Sequence, residues 1–181
     1  MAAELFHEKG YAATSTTDIA ARMGIQRGSV YYYFDTKEGL LFELIRDVYR
    51  RARVSLERIQ AADADPLQKL RELIIDHVVS FTTHLVPGAI VLNESGSLSP
   101  EYRAILREDS DAYEQGMLGL IREGQRAGII RTDVDARLAC MAILGAGNWV
   151  HRWYRPTDEA TPEEIGRQFA EVLLSGLTAG R

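Results

Sequence analysis

The chain has one cysteine in 181 residues, so no disulfide can form within it. Cys140 lies in an apolar segment and reads as a small buried hydrophobe, and a reducing cytoplasm is the expected setting. No apolar run approaches the roughly 18–20 residues of a membrane span, so no membrane partner is expected. The opening MAAELFHEKG lacks the basic-then-apolar layout of a secretory signal. No nucleophile elbow, phosphate loop or Gly-rich cradle occurs, and acidic and basic side chains are scattered. Of the four histidines, His77 and His84 stand seven apart near Asp76 and Glu94, without the i,i+4 pair or Cys ligands of a strong metal site. No catalytic residue, metal ligand or cofactor is assigned. Positive charge is also scarce: 21 Lys and Arg face 26 Asp and Glu, a net −5. Residues 1–50 do no better, with Lys9, Arg22, Arg27, Lys37, Arg46 and Arg50 against Glu4, Glu8, Asp18, Asp35, Glu38, Glu43 and Asp47. Any nucleic-acid binding must come from where charges sit, not from their total.

What is present is helical periodicity, with no strand-like alternation and no repeats. The expected class is all-α, with about nine helices. The first covers residues 2–9, with Leu5 and Phe6 inward and Gly10 at its end. A long helix follows from Lys37 to about Gln60, and Pro66 opens the next, to about Leu85. Pro87-Gly88 reads as a break, with a short helix over 89–94. Ser99-Pro100-Glu101 starts a helix to Arg126, and Asp133 or Asp135 caps one, apolar nearly all round, over 134–153. Thr161-Pro162-Glu163-Glu164 carries the cap, first-position Pro and acidic first turn of the last helix.

The stretch from Thr14 to Leu41 is the most informative. Ser15 and Asp18 make a capping box for a helix whose apolar stripe is Ile19, Ala20 and Met23. Gly24 stands where a left-handed turn is needed, and Ile25 plugs that turn from below. Residues 27–34 form a second short helix, with Val30 and Phe34 four apart on its buried side. This is a helix-turn-helix, which lays its second helix in the DNA major groove. Thr16 and Thr17 can meet a phosphate at the start of the first helix. Arg27 can make a bidentate contact with guanine, and Gln26 can read adenine. Gly28 allows close approach to the duplex, Tyr31 and Tyr32 suit phosphates or a thymine methyl, and Ser29 lies beside them.

The string LF-x3-GY-x2-TS-x2-DIA-x3-GI-x2-GSVYYYF-x2-KEGLL, from Leu5 to Leu41, resembles the tetracycline-repressor (TetR) family of bacterial transcriptional regulators. The resemblance implies contacts to DNA from the second short helix and from Lys37 to the backbone. It also implies a longer first helix behind a basic tail. Here the chain opens almost inside that helix, so either its start is set too late or it lacks the tail from which such an arm would make extra contacts. Residues 1–45 are then the DNA-binding domain, and 46–181 a helical ligand-binding and dimerisation domain.

Leu138, Met141 and Gly145 form one stripe of the 134–153 helix, and Gly145-Ala146-Gly147 allows close helix approach. The resemblance implies a homodimer paired through the last two helices, which adds Phe169 and Leu173 to the face. It implies as well a pocket for a small-molecule effector, with Phe81, His84, Leu92, Tyr113, Met117, Trp149 and Trp153 as candidate liners. The string GNWVHRWYRP, Gly147–Pro156, resembles family members that respond to acyl-CoA thioesters, and sets Arg152 and Arg155 beside two tryptophans. The expected function is a ligand-responsive repressor released from a palindromic double-stranded DNA operator. A drug or aromatic effector stays open. So does a small helical enzyme or metal sensor with a vestigial head.

Overall fold

The structure is a computed structural model and describes residues 1–26, 28 and 34–178. Among the described residues there are eight α-helices and a single isolated β-bridge, between Ile130 and Thr178. The chain divides into two units, Met1–Arg50 with Leu85–Asp109, and Arg51–His84 with Ser110–Arg181.

The first unit begins with α1 (Ala2–Lys9) and α2 (Thr16–Met23). The expected capping box is present: the Ser15 hydroxyl accepts from the Asp18 N–H while the Asp18 carboxylate accepts from the Ser15 N–H. Gly24 closes α2 at φ 66°, a left-handed conformation that only glycine adopts without strain. Met23, expected on the buried stripe, is at the surface instead. The long α3 (Lys37–Ala61) follows. Leu40, Leu41 and Ile45 on its first turns pack with Leu5, Phe6 and Ile19.

The same core takes in a later piece of chain. The helix α5 (Leu85–Glu94), a 3-10 turn (Ser95–Ser97) and the start of α6 (Pro100–Arg126) supply Ile90, Val91, Leu98 and Leu106. Two backbone N–H groups fasten it, Tyr11 N–H to Glu94 Oε1 at 3.2 Å and Ser99 N–H to Glu38 Oε1 at 2.6 Å. Phe42 stacks on Tyr102 at 4.3 Å between ring centroids. Pro87-Gly88, expected as a break, lies inside the first turn of α5. Proline is tolerated there because the first turn's N–H groups have no intrahelical partner.

The second unit contains α4 (Pro66–Thr83), the later parts of α3 and α6, α7 (Ala136–Trp153) and α8 (Pro162–Ser175). Asp65 caps α4 at two N–H groups, Asp135 caps α7, and Thr161 with Glu164 makes a second capping box. Asp133, the other capping choice, pairs with Arg131. The core joins Leu56, Leu70, Leu73, Ile74, Met117, Ile121, Cys140, Ile143 and Leu174. Two glycines set how closely helices approach. A Cβ at Gly166 would stand 3.1 Å from Ile75 Cα, so α8 lies against α4 backbone. A Cβ at Gly147 would stand 2.4 Å from the His77 ring, so α7 can close on α4 only without a side chain there.

Candidate nucleic-acid interface and effector region

The head is built to hold one turn rigid. After Gly24, the Ile25 N–H returns to Ala20 O at 3.1 Å, and the Ile25 side chain packs on the head core. Gln26 emerges exposed, and Gly28 is exposed with open space where a Cβ would be. Arg27, Ser29, Tyr31 and Tyr32 lie outside the described residues, as do Val30 and Tyr33. Thr17 is exposed and Thr16 half-buried in the first turn of α2. Two exposed ion pairs tie α1 to α2, Arg22–Glu8 at 2.7 Å and Lys9–Asp18 at 3.1 Å. The Ser15 hydroxyl and N–H, with Lys9, hold the Asp18 carboxyl well below the usual carboxylate range.

Lys37 has an internal task. Its ammonium donates to Tyr11 O and Thr14 O, both at 2.9 Å, and lies 4.2 Å from the centre of the Tyr11 ring. Two of its three N–H donors are therefore spent on the loop between α1 and α2, which leaves one for a phosphate.

In the second unit the structure gathers some of the expected pocket residues and disperses others. Phe81, Tyr113 and Met117 are buried. The first two flank His77, with ring centroids 4.9 Å and 5.8 Å from it. His77 Nδ1 is 3.2 Å from the Tyr113 hydroxyl and Nε2 is 3.0 Å from Asn148 Oδ1. Asn148 Oδ1 only accepts, so His77 donates through Nε2 and receives the Tyr113 O–H at Nδ1. Burial pushes the His77 imidazole down to about 4, against smaller opposing effects of the Asn148 bond and the Asp76 charge. Burial likewise pushes the Tyr113 phenol up. His77 thus holds the centre of the region, yet its sequence spacing pointed only to a poor metal site. The one signal available was the small residue at position 147, seventy positions away.

The other expected liners lie elsewhere. His84 is exposed at the end of α4, and Leu92 is exposed in the first unit. Trp149 and Trp153 are 62% and 42% exposed, so they are outside the protomer's core. Arg152 lies over the Trp149 ring at 6.0 Å, and Trp153 stacks on Phe169 at 6.3 Å. Trp149 continues the exposed apolar row of α7 through Leu138 and Met141, and Val172 on α8 is 69% exposed. Gly145 has open space at its Cβ position, unlike Gly147 two residues on. Phe169 and Leu173 are half-buried on α8.

A crevice of about 410 Å³ opens where α3 meets α4, lined by Arg58, Ile59, Lys69 and Arg71 among others. Its cations already have partners: Arg58 with Asp76, Lys69 with Gln60 O, and Arg71 with Glu171. None of the expected effector residues lines it. Among the described residues no three His, Cys, Asp or Glu side chains converge on a metal position, and no single helix is long and apolar enough to cross a membrane.

Known proteins share both halves of this architecture. Residues 1–44 match the family described as bacterial regulatory proteins, tetR family, and residues 63–177 match the tetracyclin repressor-like C-terminal domain. The HTH-type transcriptional repressor KstR2 of Mycobacterium tuberculosis is 31% identical over 98% of this chain and 90% of its own. The crystal structure of PfmR from Thermus thermophilus, a TetR family transcriptional regulator, has a TM-score of 0.90 at 32% identity, covering 98% of this chain and 97% of that one. AibR, solved in complex with isovaleryl coenzyme A and operator DNA, has a TM-score of 0.84 at 26% identity, covering 98% and 94%. With the capped helix and glycine turn of the head and the all-helical second unit, these matches show that the chain belongs to the TetR family of DNA-binding transcriptional regulators.

Proposed function

We propose that the protein is a homodimeric repressor that holds a palindromic operator and releases it when a small amphipathic effector binds the second unit. The observation that carries the reading is the α2–Gly24 turn, which is capped, anchored by the half-buried Ile25 and followed by exposed Gln26 and Gly28. Residues 26–33 are the recognition segment, with Arg27, Ser29, Tyr31 and Tyr32 reading DNA and Thr16, Thr17 and Lys37 at phosphates. One such segment buries too little surface for tight binding. Two heads about 34 Å apart on a palindrome supply the rest.

The exposed row Leu138, Met141 and Trp149, with Val172 on α8, supports a dimer face on α7 and α8. Monomeric proteins rarely leave such a patch open. Leu138→Ala is expected to weaken the dimer at least tenfold, read by light scattering across a dilution series.

An acyl-CoA thioester is the effector class we favour. The likeness to AibR supports it, as does Arg152 over the Trp149 ring. An aromatic or drug-like effector is the second reading, favoured by the rings of Phe81 and Tyr113 around His77. In either case the two long helices are the route of the signal. α3 carries Leu41 and Ile45 in one core and Leu56 and Ile59 in the other, and α6 likewise carries Leu106 and Met117. An effector that binds the two states unequally would shift the heads through them.

The test is anisotropy titration, at fixed salt, of DNA selected from a random library, with and without isovaleryl-CoA and octanoyl-CoA. Arg27→Ala should lose about 1–3 kcal/mol of binding, and unchanged affinity would reject Arg27 as a contact. A DNA complex indifferent to every CoA ester would reject the thioester.

A further inference from the structure

Among the described residues, one buried side-chain nitrogen or oxygen lacks a hydrogen-bond partner: Nε2 of His151. His151 lies on α7, one turn beyond Asn148. Its Nδ1 is 2.6 Å from the Asn148 backbone carbonyl. A carbonyl only accepts, so Nδ1 carries the ring proton, and in the neutral imidazole Nε2 presents a lone pair. That lone pair points away from the helix backbone, because the two ring nitrogens face opposite ways and Nδ1 has turned back onto it.

The neighbouring polar groups are paired among themselves. Tyr113 meets His77, and His77 meets Asn148 Oδ1. His151 holds the Asn148 backbone through one nitrogen and keeps the other unused. Folded proteins pair nearly all such buried atoms, because leaving one unmade destabilises the fold. Buried groups left unsatisfied are instead found where a ligand or ordered water completes them.

We infer that His151 Nε2 is the acceptor for a hydrogen-bond donor on the effector, an amide N–H or a hydroxyl attached to an apolar body. The inference rests on the effector-responsive reading above and deepens it. A CoA thioester carries amide N–H groups along its pantetheine arm, and a phenolic compound carries hydroxyls. A fatty-acid anion carries neither, so this site discriminates against it. A donor that fills Nε2 also bears on the helix segment that positions Asn148 against His77.

The experiment uses the full chain with His151→Phe, which removes the acceptor and keeps a ring, and His151→Gln, which restores an acceptor oxygen. Melting temperature without effector and calorimetric affinity are measured for three probes: isovaleryl-CoA with amide donors, naringenin with phenolic donors, and octanoate with none. The expected result is that H151F melts about 2–4 °C above the wild type, since an unpaired buried acceptor has been removed. H151F should also bind a donor-bearing probe at least tenfold more weakly, and H151Q should recover most of that loss. Whichever of isovaleryl-CoA and naringenin shows the difference identifies the source of the donor. Octanoate should show no dependence on the variant. A lower melting point for H151F would overturn the inference, because Nε2 would then hold a structural water. Equal affinity of H151F and wild type for the donor-bearing probes would overturn it as well. If the wild type binds no probe, the effector class under Proposed function fails; a raised melting point of H151F then still supports the open acceptor, and a lowered one overturns it.

Discussion

Acidification from pH 7 to pH 4 is expected to remove about 3 kcal/mol of stability through one side chain, His77. Its imidazole is 8% exposed and spends both nitrogens on neutral partners, Tyr113 and Asn148. Protonation would put a charge where water cannot reach it, and burial holds the native imidazole at about 4 against an ordinary 6.5. Between those values the unfolded chain binds a proton that the native protein refuses. The contribution is therefore complete above pH 6.5, falls as the pH drops towards 4, and changes no further below that. The Tyr113 hydroxyl would also lose its acceptor at Nδ1, so the loss should appear at the contact between α4 and α6. Urea unfolding midpoints at pH 7, 6, 5 and 4.5 for wild type and His77→Gln provide the check. Carboxylates titrate in both proteins, and their effect cancels in the difference. A wild-type-minus-variant difference that stays flat from pH 7 to 5 would refute the argument.

Local chemistry and tertiary choice were not equally readable in the sequence. Ser15 with Asp18, Asp65 with Pro66, and Thr161 with Glu164 each satisfy orphan N–H groups a few residues away, so their pattern is visible in a short window. Gly24 is legible for the same reason, since a left-handed residue after a helix has few other solutions. The face that a helix buries is a different question when apolar residues surround it. On α7 periodicity allows Trp149 or Gly147 inward. The choice is made by the His77 ring, which needs the space that only glycine leaves. Trp149 therefore joins Leu138 and Met141 at the surface, while Phe81 and Tyr113 close on His77. Lys37 illustrates a further limit. A lysine at a helix start resembles a phosphate ligand, and nothing local reveals that Tyr11 O and Thr14 O, more than twenty residues back, occupy two of its donors. His151 is least legible of all, because a missing partner leaves no mark in a sequence.

Leu41→Ala is expected to cost about 2–5 kcal/mol and abolish DNA binding without touching the duplex. Leu41 is fully buried in the core that joins Phe6 of α1, Ile19 of α2 and Ile90 of α5. Nothing in the unit can offset such a cavity cheaply. The Arg22–Glu8 and Lys9–Asp18 pairs are exposed and contribute at most about 1 kcal/mol each. The glycine turn depends on Ile25 keeping its place in the same core, so a loosened core loosens that turn as well. The loss should be local. Limited proteolysis should cut the variant first within residues 1–50 and 85–109, while Leu73 and Ile121 stay protected in hydrogen exchange. Val54→Ala is the control on the same helix: Val54 is 62% exposed, and its truncation should change stability by no more than about 0.5 kcal/mol. Equal operator affinity for the Leu41 and Val54 variants at 37 °C would show that the head does not depend on this core.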